Sequence, residues 1–166
     1  VSPMAIPGTA GGVDTGGGRN HKKKSTPSSQ GTDHLAQLDK RRAKLELADY
    51  GMHWADIEGE GDLAVLTFGS CTGVVREGLA RARVDGVTAR LVSMRLLSPA
   101  QPARLAAALA GVRRILVIEQ NHTGQFFRHL RAEYDLPGTM TSLHRPGAMQ
   151  FNPGDIHRYL IEWSRA

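Results

Sequence analysis

Leu63-Ala64-Val65-Leu66-Thr67-Phe68 is an uncharged run that stops at Gly69-Ser70-Cys71-Thr72-Gly73; apolar residues then return at helical spacing, at Val74, Val75, Leu79 and Ala82, as far as Asp85-Gly86. A strand covered on both faces has no need to alternate. A short apolar run bounded by small residues therefore predicts a strand of a parallel sheet, a tight turn and a helix. The texture recurs twice, as strand 89–94 with helix 101–110 and as strand 114–119 with helix 124–134. A weaker strand, 139–144, is richer in Thr and Ser and is placed nearer an edge; the last helix, 153–163, starts on a proline, which suits a first turn. The repetition predicts an α/β fold of three layers, a mainly parallel sheet with helices on both faces.

Upstream, the pattern weakens. A helix is expected from Thr32 or Asp33 as N-cap, with Leu35, Leu38, Leu45 and Leu47 set among charges. Residues 50–61 read as a connection carrying Tyr50, Trp54 and three acidic side chains. Residues 1–31 have no amphipathic period and are crowded with Gly, Pro, Ser and Thr, so they are expected to be an extended or flexible linker, ordered only against a neighbouring domain. The chain opens on Val1 and reads as a segment of a larger polypeptide, with no signal peptide expected. The expected organisation is linker 1–31, helix and connection 32–61, and α/β domain 62–166.

At 166 residues the chain fits one domain of ordinary size, and 40% hydrophobic residues suffice for a core. No apolar run approaches the roughly 20 residues of a membrane helix, so no membrane partner is expected. Cys71 is the single cysteine, which excludes an internal disulfide and a four-cysteine metal or iron–sulfur site made by this chain alone. Of the net +5, residues 19–44 hold eight basic groups against Asp33 and Asp39, including the Lys22-Lys23-Lys24 run. A nucleic-acid arm and a solvated linker running into a charged helix both fit; the linker is preferred, because no aromatics interleave for base stacking.

Ligands of such sheets collect at the carboxyl ends of the strands. Gly69–Gly73 there offers backbone N–H groups and a helix N-terminus to an anion, but it lacks a P-loop lysine and the three-glycine dinucleotide spacing. Cys71 in that turn suggests a nucleophile with a lowered pKa; packing is the blander account. The seven histidines contain no pair three or four apart, so a helical metal pair is absent. The polar stretch Glu119-Gln120-Asn121-His122-Thr123-Gly124-Gln125 suits acid–base work or, the preferred reading, hydrogen bonding of the turn to a neighbouring domain. Arg95, between apolar residues just past a strand end, is expected to pair with a carboxylate or with backbone carbonyls.

In order along the chain, the G-S-x-T-G turn at Gly69–Gly73, R-L-L-x-P at 95–99 and V-I-E-x-x-x-x-G-Q at 117–125 resemble the C-terminal domain of transketolase-like thiamine diphosphate enzymes. Within that superfamily the chain resembles the α subunit of 2-oxoacid:ferredoxin oxidoreductases, most of all the 2-oxoglutarate branch. Pro3-Met4-Ala5-Ile6-Pro7-Gly8-Thr9 and Lys40-Arg41-Arg42-Ala43-Lys44-Leu45 are similar to the segments that lead into that domain. One departure is Gly18-Arg19-Asn20-His21 in place of the family's Gly-Leu-Glu-His, followed by the lysine run.

The resemblance implies a non-catalytic assembly domain of a complex that oxidatively decarboxylates a 2-oxoacid to an acyl-CoA and reduces ferredoxin. It implies thiamine diphosphate, magnesium and an iron–sulfur cluster for that complex and none of them for this chain. The implied partners are a preceding pyrimidine-binding domain of the same subunit, a β subunit carrying the pyrophosphate domain, and ferredoxin through the complex; no nucleic acid is expected, and the location is cytoplasmic. No catalytic, cofactor or metal residue is carried over, and Arg95, Glu119, Asn121, Gly124 and Gln125 match only as turn or domain-interface positions. Two alternatives stand beside this: the equivalent domain of a transketolase or a pyruvate dehydrogenase β chain, and a free-standing anion-binding α/β module.

Overall fold

The computed structural model describes residues 6, 8–11, 20–22 and 26–166. Most of the opening Pro3–Thr9 motif, Gly18, Arg19, Lys23 and Lys24 lie outside the described residues. The chain forms two compact units, Val1–Asp49 and Tyr50–Ala166.

In the first unit, residues 20–22 and 26–28 pair antiparallel. His21 bridges Pro27, the Lys22 N–H donates to the Thr26 carbonyl at 2.9 Å, and the Ser28 N–H donates to that of Asn20 at 2.9 Å. Helix α1 follows at Gly31–Glu46, with Gln30 as N-cap and no side-chain cap bond. It begins ahead of the expected Thr32 or Asp33, and the Asp33 carboxylate, now in its first turn, accepts from the Ser28 hydroxyl at 2.5 Å. A carboxylate in the first turn still favours the helix through its dipole.

The second unit is a five-stranded sheet in the order β1-β3-β2-β4-β5: β1 (Ala55–Glu58), β2 (Leu63–Phe68), β3 (Arg90–Met94), β4 (Arg114–Glu119) and β5 (Thr139–His144). β2 pairs in parallel with β3 and β4, and β4 with β5. β1 pairs antiparallel with β3 at one edge. Four strands were legible as strands; β1 lies in the stretch expected to be a connection. Its sequence, Ala-Asp-Ile-Glu, is short and half charged, because an edge strand exposes one face and is protected from further pairing by charge.

Helices α2 (Cys71–Val84) and α5 (Pro153–Arg165) cover one face of the sheet; α3 (Pro102–Ala108) and α4 (Gln125–Glu133) cover the other. Strand alternation divides the core accordingly. Val65, Leu91, Leu116 and Ile118 pack with Val75, Ile156 and Leu160, whereas Leu66, Val92, Ile115 and Val117 pack with Trp54, Leu105, Phe126 and Leu130. Each such large apolar side chain, withdrawn from water, contributes about 1.5–3 kcal/mol before entropy is counted. The three-layer α/β reading holds.

The buried stripe of α2 is Cys71, Val75, Gly78 and Ala82, rotated slightly from the expected Val74, Val75, Leu79 and Ala82. Gly78 sets the rotation: a Cβ there would stand 2.6 Å from Ile156 Cγ2, so only glycine lets α5 approach α2 this closely. Helix α5 carries a full capping box between Asn152 and Asp155, with proline in its first turn as expected.

Candidate functional site

The carboxyl ends of β2, β3 and β4 meet the N-termini of α2 and α4 at one end of the sheet. After β2 the chain turns at Gly69, whose φ of +59° is open to glycine at little cost, and enters α2 at Cys71. Ser70 is the N-cap but makes no side-chain cap bond. Thr72 instead shares a 2.6 Å hydroxyl hydrogen bond with the buried Ser93 of β3. A cavity of about 460 Å³ opens here between Phe68, Gly69, Thr72, Ser93, Met94 and Arg95.

Arg95 stands at the rim. Its backbone N–H and that of Leu96 both donate to the Trp54 carbonyl, at 2.9 and 3.0 Å. Its guanidinium donates to one oxygen of Asp56 on β1, from Nη2 at 2.7 Å and from Nε at 3.1 Å. The expected carboxylate partner is thus supplied locally, by the edge strand the sequence did not reveal.

After β4 the chemistry is different. Glu119 is fully buried, and its carboxylate accepts from the backbone N–H groups of Phe126 at 2.6 Å and Phe127 at 2.8 Å, the second and third residues of α4. The Asn121 side-chain amide donates to the same carboxylate, while its oxygen accepts from the N–H groups of Thr123 at 3.0 Å and Gln125 at 3.2 Å. Gly124, the N-cap of α4, has φ +64°, and a Cβ there would stand 3.4 Å from His144 Nδ1. A carboxylate five residues before the N-cap therefore does the work of a capping side chain. The negative charge sits where the helix dipole favours it.

The structure thus brings Glu119, Asn121, Gly124 and Gln125 together in one turn and leaves Arg95 with Asp56 across the sheet end. Their hydrogen bonds go to their own chain. The hydrogen bonds of Gln120 went unread. Its Nε2 donates to the carbonyls of Arg145, Pro146 and Met149 at 3.2, 2.8 and 3.2 Å, and its Oε1 accepts from the Phe151 N–H at 3.1 Å, tying the loop after β5 to the end of β4. A glutamine beside a strand end gives no sign in sequence of a loop 25 to 31 residues away.

Cys71 lies in the core beside Val75 and Ile156. Burial pushes its thiol up from the usual cysteine value; a hydrogen bond to the Gln120 backbone opposes this, and the Glu119 charge works in the same direction as burial. The nucleophile reading assumed that the helix N-terminus dominates. The upward direction favours the packing account over an activated thiolate. Among the described residues no cluster of His, Cys, Asp and Glu is arranged to hold a metal ion.

No protein-family model matches the chain. It is 36% identical over 75 residues to subunit alpha of 2-oxoacid:ferredoxin oxidoreductase 2 from Aeropyrum pernix, a match covering 45% of this chain and 12% of that one. It is 32% identical over 163 residues to the 2-oxoglutarate oxidoreductase subunit KorA of Mycobacterium tuberculosis, covering 95% of this chain and 24% of the relative. Among solved structures, 2-oxoglutarate:ferredoxin oxidoreductase from Magnetococcus marinus, with 2-oxoglutarate, coenzyme A and succinyl-CoA bound, superposes with a TM-score of 0.75 at 27% identity, over 97% of this chain and 28% of that one. A split-gene transketolase, an inactive beta4 tetramer, shares the fold with a TM-score of 0.51 at 17% identity, over 69% of this chain and 42% of that one. By sequence and by fold, the chain is a relative of the α subunits of 2-oxoacid:ferredoxin oxidoreductases, with a transketolase C-terminal-like α/β domain, and it spans only about a quarter of the longer matches.

Proposed function

We propose that this chain is a non-catalytic assembly segment of a cytoplasmic 2-oxoacid:ferredoxin oxidoreductase α subunit, with 2-oxoglutarate as the complex's substrate. One observation carries the reading. The most acid–base-like group at the functional end of the sheet, Glu119, is fully buried and accepts three hydrogen bonds in holding the first turn of α4. A carboxylate withdrawn from solvent and bonded to two backbone N–H groups and an amide positions the turn. Arg95, Asn121, Gly124 and Gln125 serve the same purpose, fixing turns that face a preceding pyrimidine-binding domain and a β subunit carrying the pyrophosphate domain.

The residues here do not fit the groups such a complex uses. An iron–sulfur cluster needs several thiolates, and the one cysteine is a buried thiol. A diphosphate with magnesium needs free cations and free carboxylates, whereas at the sheet end Arg95 and Asp56 already neutralise each other. On this reading thiamine diphosphate, magnesium and the cluster are held by the other domains, and ferredoxin is reached through the complex. No helix among the described residues is long and apolar enough to cross a membrane.

The test has two arms. The chain alone should gain no thermal stability from thiamine diphosphate with magnesium; a ligand at a hundred times its Kd would add about 2.7 kcal/mol. In the assembled enzyme, Cys71→Ser should leave turnover of 2-oxoglutarate with a viologen acceptor within a few-fold of the original. A hundredfold fall with assembly intact, about 2.7 kcal/mol of barrier, would overturn the non-catalytic reading.

A further inference from the structure

We draw no further inference here: the strongest candidate, the cavity of about 630 Å³ between the loop joining β1 to β2, helix α2 and the start of β3, lined by Glu60, Leu79, Arg83, Val87 and Leu91, carries nothing because nothing in the structure shows what covers it.

Discussion

The turn after β2 and the turn after β4 occupy equivalent places, each leading from the carboxyl end of a parallel strand into a helix, yet they satisfy the helix start by opposite means. The first uses small residues, caps α2 with no side chain and leaves a cavity of about 460 Å³. The second brings in a buried carboxylate, an amide and a left-handed glycine, and leaves no backbone donor of the first turn of α4 to spare at the positions Glu119 and Asn121 reach. Topology alone therefore does not say which strand end is available for binding. What matters is which donors the fold has already used.

The largest expected effect comes from undoing the second turn. Glu119→Ala should strand the buried Phe126 N–H, the part-buried Phe127 N–H and the Asn121 amide, costing about 3 kcal/mol in urea unfolding. A loss under 1 kcal/mol would mean that the carboxylate is not what holds α4. Gly124→Ala should cost about 1–2 kcal/mol, since it puts a side chain at φ +64° and a Cβ 3.4 Å from the His144 ring. An unchanged melting temperature would remove the left-handed cap from the comparison.

Acid sharpens the contrast by a third helix start. At α5 the Arg145 guanidinium beside Asp155, first of all, holds that carboxyl below its usual value, with the Asn152 backbone hydrogen bond adding to it. A depressed folded-state pKa contributes stability above the unfolded value of about 3.9 that is lost as pH falls through the folded one. Melting temperature should therefore drop through the acidic range, and Arg145→Ala should flatten that drop. An equally steep fall in the variant would assign it to other carboxylates. Last and smallest, Ser70→Ala in the uncapped turn should change stability by less than about 0.5 kcal/mol, because the hydroxyl makes no cap bond there. A loss near 1 kcal/mol would show that α2 is capped after all.

The four parallel strands were legible because each is a short run with charge at most at its ends, bounded by turn residues, a local property. Edge strand β1 was not, since Ala-Asp-Ile-Glu becomes a strand only when Met94, Ser93, Val92 and Leu91 are there to pair with it. Arg95 shows the same limit. A charge past a strand end announces that it needs a partner, but Asp56 lies 39 residues away and comes near only through that unforeseen edge. Glu119 and Gly124 could be singled out as a polar turn, while the direction of the carboxylate, inward to α4 and not outward to a neighbour, could not.

By itself, the sequence determined the fold class, the order of four strands and five helices and the exclusion of a multi-cysteine site, because apolar period, turn residues and cysteine count act locally or by simple number. Tertiary structure alone decided the rest. The burial of Cys71, the partners of Arg95 and Gln120 and the capping role of Glu119 depend on which distant groups folding brings within hydrogen-bond range and how much water it removes, and spacing along the chain carries neither.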